Sequence, residues 1–181
     1  QEQQGPETEN PVVTDEQTDR VKIEMEDGSI ILIVLSNSET PITIKNFKKL
    51  VSEGFYDGII FHRVIENFMI QGGDPTGTGY NGSDETIKGE FTSNGVKNSL
   101  SHTRGVISMA RNGYDMDSAS SQFFIVHQDS TSLDGDYASF GKVFAGMDAV
   151  DKIATTETDS NDKPLEEQKI KTIKFITIEK A

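Results

Sequence analysis

Two long polar side chains, Arg63 and Gln71, stand in a mostly apolar stretch of the sequence and could act together on a ligand. The stretch reads FHRVIENFMIQGGD over residues 61–74 and ends in a glycine pair before an aspartate. Its apolar members are Phe61, Val64, Ile65, Phe68, Met69 and Ile70. An apolar surface with a few placed hydrogen-bonding groups is typical of a site for a small molecule or a peptide. The stretch therefore predicts a binding site.

Three further stretches, taken together with this one, indicate a family. They read GVISMA at residues 105–110, SQFFI at 121–125, and LDG at 133–135 followed by FGKV at 140–143. In order and spacing, the four resemble the signature of the cyclophilin family of peptidyl-prolyl cis-trans isomerases, from about residue 21 to the C-terminus, and the motif wording resembles bacterial members. The resemblance implies a mainly β fold, a closed antiparallel eight-stranded barrel capped by two short helices, with the binding groove on its outside.

Rotation about an X-Pro bond breaks no covalent bond, but its barrier is about 18–20 kcal/mol because the amide loses conjugation as it twists. An enzyme for this reaction needs a place that holds the twisted amide better than the planar one. Arg63 suits this task because its guanidinium is always charged and offers several fixed donors to the imide nitrogen. The resemblance implies that Arg63 is the principal catalytic residue.

An apolar pocket would hold the proline ring while the rest of the peptide turns. Four side chains suit this task by their chemistry: Phe68, Met69, Phe124 and Leu133. Gln71 can bond to the substrate backbone. The resemblance implies that all five bind substrate, together with Ala110, Arg111, Gln122 and Tyr137. Taken singly, the apolar residues would more often belong to the core and Arg63 to the surface, but their arrangement within the motifs favours the functional interpretation.

Three positions depart from the family pattern. Ser132 replaces a tryptophan that the best-known cyclosporin-sensitive members carry before Leu-Asp-Gly, and the chain has no tryptophan. We therefore expect weak cyclosporin binding with isomerase activity retained. Tyr137 replaces a common histidine and keeps an aromatic wall with a polar tip. Arg111 replaces an asparagine; it would repel Arg63 unless it points outward, and it predicts a preference for peptides with acidic residues near the proline.

Other candidates for chemistry are weaker. His62, His102 and His127 show no metal-ligand spacing and have no neighbouring cysteine, so we expect no metal and no other cofactor. We interpret His62 and His102 as structural; a position of His127 near the groove is an alternative that we do not favour. The stretch Gly77-Thr78-Gly79 could cradle a phosphate, but no Gly-Lys-Ser/Thr ending and no helix pattern follow it. An exposed loop at the rim of the site is the better interpretation.

Eight β-type runs predict the strands that position these residues. In chain order they cover residues 21–25, 29–35, 59–64, 68–71, 105–110, 122–126, 139–144 and 170–178. Glu26-Asp27-Gly28 predicts a hairpin turn between the first two, because Asp-Gly between such runs favours a tight turn. Residues 72–88 are rich in Gly, Asp, Asn, Ser and Thr and predict a loop beside the site.

Two helices are predicted between the strands. Thr40 as N-cap, Pro41 at the first helical position and Gly54 as C-terminal cap bound the first helix. Its apolar face is formed by Ile44, Phe47, Leu50 and Val51. The second is short and covers residues 147–153, where apolar residues recur at three-residue spacing.

Composition and charge limit the remaining possibilities. The chain has 181 residues, a formal net charge of −13 and no cysteine. The acidic balance argues against non-specific nucleic-acid binding, and the lack of cysteine excludes disulfides and thiolate catalysis. No run approaches the roughly 18 apolar residues of a membrane span. Residues 1–20 have little apolar mass, so we expect a flexible acidic tail before an isomerase domain at residues 21–181.

These observations predict an isomerase that turns X-Pro bonds in flexible or unfolded segments and so assists folding. Its partners would be proline-containing peptides and unfolded proteins, and the resemblance implies a monomer. Two alternatives stay open, a module that binds proline peptides in the same groove without turnover and a surface scaffold. The chain begins at Gln1 rather than at methionine, so we expect an extracytoplasmic location, tethered to the cell surface as a lipoprotein, with the cytoplasm as the alternative.

Overall fold

One antiparallel sheet dominates the computed structural model, which describes residues 9–180. Its strands are β1 Glu9–Val13, β2 Arg20–Met25, β3 Ile30–Val34, β4 Phe61–Ile65, β5 Met69–Gly72, β6 Val106–Met109, β7 Phe123–Val126, β8 Ser139–Ala145 and β9 Ile170–Lys180. The helices of the described part are α1 Pro41–Ser52 and α2 Met147–Ala154, with 3₁₀ turns at Thr92–Asn94 and Thr131–Leu133. Strands β2 to β9 are the eight predicted ones, and each lies within two residues of its predicted bounds.

The strand order is β1-β9-β2-β3-β8-β6-β7-β5-β4, so the sheet ends at β1 and β4. The chain before β4 nevertheless meets the beginning of β9. Phe61 donates its N–H to the Gln168 carbonyl at 2.9 Å, and Ile170 donates to the Ile59 carbonyl at 2.9 Å. A bridge between Ile60 and Lys169 lies between these bonds. The eight strands β2 to β9 therefore curl into the predicted barrel, joined by this short junction rather than by a full ladder.

The predicted flexible tail was wrong for Glu9–Val13, which form β1; residues 1–8 lie outside the described part. β9 has 11 residues, and its pairing with β2 reaches only Phe175. The following residues of β9 would present an open edge, and β1 pairs with them from Val13 opposite Ile176 onward. Backbone hydrogen bonds at a sheet edge do not need apolar side chains, so the composition of this segment does not reveal its pairing.

The first helix begins and ends where predicted, but its N-terminus is capped by another residue. Pro41 occupies the first turn, and Gly54, with φ of +70°, follows the C-cap Glu53. Thr40 makes no side-chain cap; its hydroxyl donates to the Asn37 carbonyl instead. The buried carboxylate of Glu90 accepts the N–H groups of Ile42 at 3.1 Å and Thr43 at 2.7 Å. A negative charge at a helix N-terminus is favourable, and this one comes from far along the chain.

The barrel interior is filled by aliphatic and aromatic side chains. Its aromatic members pack with ring centroids 5.2 to 5.9 Å apart and are Phe47, Tyr56, Phe61, Phe123 and Phe140. Phe47 comes from the predicted apolar face of α1, which closes one side of this core. Large aromatic side chains bury much area and hold a core in one arrangement.

A second, smaller apolar cluster lies on the outer face of the sheet. Its buried members are Met69, Val106, Phe124 and Val126. Successive residues of a strand point to opposite faces of a sheet, so Phe123 enters the barrel while Phe124 faces outward. This alternation places an apolar floor on the outside of β5, β6 and β7, as the resemblance implied.

Candidate active site

A cavity of about 120 Å³ opens over this outer cluster. It is lined by Arg63, Phe68, Met69, Gln71, Ala110, Arg111, Phe124, Leu133 and Tyr137. All nine were predicted as site residues from the sequence. The tenth, Gln122, lines an adjoining cavity of about 310 Å³ that shares Gln71, Ala110 and Arg111 with the first. The structure thus brings every predicted site residue to one face of the barrel.

The apolar part of the first cavity is a notch walled by Phe68, Met69, Phe124 and Leu133. Met69 and Phe124 form its buried floor, and Phe68 and Leu133 are partly buried. Tyr137 closes one side, with its ring edge-on to Phe124 at a centroid distance of 5.7 Å. The notch has the size and chemistry to accept a small apolar ring.

A chain of polar side chains borders the notch. Arg63 lies opposite Gln71 in the β4–β5 register, and its Nη1 donates to Gln71 Oε1 at 3.3 Å. Gln71 Nε2 donates to Gln122 Oε1 at 2.9 Å. Within residues 9–180, Arg63 forms no ion pair. Because a guanidinium has five N–H donors, Arg63 keeps donors for a ligand at the rim of the notch.

The far end of this polar chain is fixed by the loop after β5. Gln122 Nε2 donates to the carbonyls of Gly79 and Asn81, each at 2.9 Å. Both carbonyls belong to a loop that wraps around the buried carboxylate of Asp74. Asp74 accepts the N–H groups of Thr76 at 2.8 Å, Thr78 at 3.2 Å, Gly79 at 2.7 Å and Asn81 at 3.2 Å. The loop is therefore held from inside.

Asp74 was not predicted as part of the site, although its sequence contains a signal. Aspartate followed closely by threonines and glycines, as in Asp-Pro-Thr-Gly-Thr, is typical of a loop in which the carboxylate bonds to backbone N–H groups. Burial raises the pKa of Asp74, but hydrogen bonds from Thr76, Asn81 and Gly79 outweigh it and lower the pKa to about 2. The phosphate alternative for residues 77–79 was wrong, because Asp74 occupies the N–H groups that a phosphate would need.

Arg111 stands at the boundary between the two cavities. Its guanidinium lies over the rings of Phe91, at 4.9 Å, and Tyr137, at 5.0 Å. Its Nε donates to the Asp136 carbonyl at 2.9 Å. Carbonyl oxygens and ring faces are electron-rich, so these contacts favour the cation and offset its expected repulsion with Arg63. Phe91 was missed because nothing near it in the sequence indicates this contact.

All three histidines are buried, and both ring nitrogens of His102 have polar partners. His102 is 1% exposed; its Nδ1 lies 2.9 Å from Asp134 Oδ1 and its Nε2 2.8 Å from Ser108 Oγ. Its ring stacks on Phe124 at 5.9 Å. Burial lowers the pKa of His102 against the opposing effect of Asp134, and burial likewise lowers the pKa of His62. The burial of His62 and His102 fits the interpretation of both as structural residues.

His127 does not line either cavity, but its ring accepts the N–H of Asn67, next to Phe68.

Among residues 9–180, no three carboxylate or histidine side chains come together as a metal-ligand set. The helices of that same range include none long and apolar enough to cross a membrane.

Comparison with known sequences agrees with this geometry. The family model for cyclophilin type peptidyl-prolyl cis-trans isomerase/CLD matches residues 20–175. A peptidyl-prolyl cis-trans isomerase of Schizosaccharomyces pombe is 45% identical over 141 residues, which are 77% of this chain and 88% of that protein. Peptidyl-prolyl cis-trans isomerase-like 1 of Gibberella zeae is 43% identical over 154 residues, which are 84% of this chain and 92% of that protein. Both relatives are fungal, so neither supports the predicted resemblance to bacterial members of the family.

Solved structures give the same result. A crystal structure of a cyclophilin type peptidyl-prolyl cis-trans isomerase of Cryptosporidium parvum has a TM-score of 0.80 at 34% identity, covering 88% of this chain and 97% of that chain. A second crystal structure of that protein, in the presence of the dipeptide Ala-Pro, has a TM-score of 0.78 at 34% identity, covering 86% and 98%. These values support the cyclophilin-like fold of this chain.

The Asp74 loop predicts a pH-dependent loss of stability. The pKa of Asp74 is about 2 in the folded protein and 3.8 in the reference state. The carboxylate therefore stabilises the fold fully above its unfolded pKa, and this stabilisation is lost as the pH falls toward the folded pKa. We expect Asp74→Asn to lower the urea midpoint of unfolding at about pH 6, and the difference from wild type to shrink at about pH 2.5.

Asp84→Asn, which changes an exposed carboxylate of the same loop, is the matched control and should leave the midpoint near that of wild type. A difference between Asp74→Asn and wild type that stays constant down to about pH 2.5 would contradict the assigned stabilisation.

Proposed function

Because this chain belongs to the family of cyclophilin type peptidyl-prolyl cis-trans isomerases, we propose that the notch beside Arg63 is where it turns X-Pro bonds. The chain is an isomerase that acts on proline-containing peptides, an activity consistent with assistance to protein folding. The observation that carries the proposed site is the position of Arg63, tied to Gln71 at the rim of an apolar cavity with donors left over.

The proposed mechanism divides the work between the notch and the polar chain. The proline ring rests on Met69 and Phe124, which hold it while the preceding carbonyl turns. As the amide leaves planarity, the nitrogen lone pair localises and becomes a hydrogen-bond acceptor. Arg63 donates to that nitrogen more strongly in the twisted state than in either planar state, so it lowers the barrier rather than merely tightening binding. Gln71 and Gln122 keep the guanidinium and the peptide in register.

The alternative of a module that only binds proline peptides is less favoured. A pure binder needs the notch but has no use for a cation beside it. Here Arg63 is connected through Gln71 and Gln122 to a loop that a buried carboxylate holds in place. This extended support favours a residue whose position matters for catalysis. No contact in the described part of the chain favours the surface scaffold.

We also propose that Arg111 gives the enzyme a preference for acidic side chains near the proline. Arg111 uses Nε and Nη1 for the carbonyls of Asp136 and Asn112, which leaves Nη2 for a ligand. It lines the notch cavity and the adjoining larger cavity. No carboxylate is among the described residues that line either one. A glutamate or aspartate of the client, entering the larger cavity, would meet a cation there.

For the remaining expectations we propose weak cyclosporin binding, a monomer and an extracytoplasmic, surface-tethered location. Ser132 is exposed on the 3₁₀ turn Thr131–Leu133 and cannot cover the notch as an indole would. The strongly acidic composition and the lack of cysteine are compatible with the location, and the cytoplasm is the alternative. Cell fractionation with an antibody against this chain would separate the two locations.

Arg63→Ala tests the catalytic assignment. We expect kcat to fall about 100-fold, because one donor to the transition state is lost, while the affinity for a proline peptide changes less than about threefold. A peptide isomerisation assay gives the rate and calorimetric titration gives the affinity. Arg63→Lys is the matched control. It keeps the charge without the planar fork, so its kcat should lie between those of wild type and Arg63→Ala. Equal losses of rate and affinity would support the pure binder instead.

Arg111→Asn tests the acidic preference. We compare kcat/KM for peptides that differ only in Glu or Lys at the residues flanking proline. Loss of the cation should lower the Glu/Lys ratio about threefold, the range of a partly exposed ion pair. Arg20→Asn removes the same charge from a cation that stacks on Phe144 and lines neither cavity, and should leave the ratio unchanged. Equal ratios in wild type and Arg111→Asn would end the proposal.

Ser132→Trp tests the cyclosporin proposal by restoring the missing indole. We expect wild type to bind cyclosporin more weakly than the nanomolar range and the variant to bind at least about tenfold more tightly, because the ring buries apolar area and its N–H can donate. Fluorescence or calorimetric titration measures both affinities. Nanomolar binding by wild type would show that the notch needs no cover at this position.

A further inference from the structure

His127 follows β7 directly and is 5% exposed, yet the proposed mechanism does not use it. Its Nδ1 accepts the N–H of Asn67 at 2.8 Å. Its own backbone N–H donates to the carbonyl of Phe68 at 2.8 Å. Asn67 and Phe68 lie in the turn between β4 and β5, and Phe68 is a wall of the notch. His127 thus bonds to the backbone of Phe68 and to that of its neighbour Asn67.

The β4–β5 turn needs an outside acceptor. Phe68 donates its N–H to the Ile65 carbonyl at 3.0 Å and closes the turn, and Asn67 has φ of +68°. A positive φ at the third residue of a turn is unfavourable for most side chains and tolerated by asparagine. The N–H of Asn67 takes no part in the closing bond. The ring of His127 supplies its acceptor, so the histidine stabilises this turn and fixes where Phe68 leaves it.

The other side of the ring is anchored to α2. His127 Nε2 lies 3.0 Å from Asp151 Oδ1, within hydrogen-bonding distance. Arg104 binds both Asp151 oxygens at 2.7 Å and donates to the His127 carbonyl at 2.9 Å. Asp129 in turn accepts the backbone N–H of Arg104 at 2.8 Å. These are the charged groups that the contacts place around the ring, and they leave Nε2 as donor and Nδ1 as acceptor.

We propose that His127 is a positioning residue for the notch: its ring, with Nδ1 as acceptor and the proton on Nε2, holds the β4–β5 turn and thereby the Phe68 wall against which the proline ring packs. The opposite tautomer or the doubly protonated ring would turn an N–H toward the N–H of Asn67 and break the bond. The inference rests on the proposed role of the notch. Its effect should appear in substrate binding, because Phe68 holds the proline ring. We expect little effect on the chemical step, because His127 touches neither the substrate nor Arg63.

The wild-type protein provides the first test. Two-bond ¹H–¹⁵N correlation spectra of the histidine rings distinguish a bare Nδ1 from a protonated one. We expect Nδ1 of His127 to carry no proton and Nε2 to carry one, and the amide proton of Asn67 to exchange slowly. The opposite tautomer, or a rapidly exchanging Asn67 amide, would overturn the proposal without any variant.

Two substitutions separate the two ring nitrogens. Asparagine places an oxygen near the position of Nδ1, and glutamine places its terminal group near Nε2. His127→Gln should therefore lose the bond to Asn67 and raise KM for a proline peptide about fivefold, with kcat within about twofold, the loss expected for one hydrogen bond. His127→Asn should restore KM to near the wild-type value. Equal KM values in the two variants would contradict the assigned role of Nδ1.

A destabilised fold must be distinguished from a displaced wall. Val150→Ala removes buried apolar volume from α2, beside Asp151, without touching the turn; it should lower the unfolding midpoint and leave KM unchanged. A KM raised equally in Val150→Ala and His127→Gln would mean that stability alone sets it.

Phe68→Ala separates this inference from the proposed site. If Phe68→Ala leaves KM unchanged, the notch itself is wrongly assigned. If it raises KM while His127→Gln does not, the notch stands and the positioning role fails.

Discussion

The structure depends on a sheet segment that is apolar on both faces. In β5, β6 and β7 alternate residues enter the barrel core, and the residues between them form the outer cluster. Phe123 and Phe124, adjacent in sequence, belong to the two clusters. Burying both faces is favourable only if something covers the outer one, and here loops cover it in part. The notch is the remainder, so a site for an apolar ring arises from the same alternation that builds the barrel.

The cation at the rim is positioned by a longer chain of contacts than its own strand provides. Asp74 fixes the loop, the loop carbonyls fix Gln122, and Gln122 fixes Gln71, which accepts from Arg63. A donor that stabilises a twisted amide is effective when it is already in place, because no reorganisation is then needed in the transition state. The side chain of Arg63 is exposed and has many rotamers in isolation, and this chain of bonds restricts them where its strand does not.

The sequence contained enough to place strands β2 to β9 and to single out the ten residues that meet at the two cavities, because both signals are local. Alternation within a run predicts a strand, and the site residues lie within four short motifs. The contributions that were missed join distant parts of the chain. β1 depends on the free edge of β9, the cap of α1 on Glu90 across 48 residues, and the setting of Arg111 on Phe91. The ring of His127 reaches Asn67 across 60 residues. Periodicity contains no information on such pairs.

The charge of the site contrasts with that of the whole chain. A net charge of −13 repels acidic clients at long range, yet the described residues lining the two cavities include Arg63 and Arg111 and no carboxylate. Exposed charges are screened beyond about 8 Å at physiological salt. A client side chain inside a cavity therefore responds to the nearby guanidinium groups more than to the distant surface. An acidic surface can in this way coexist with a groove for which we propose a preference for electron-rich groups.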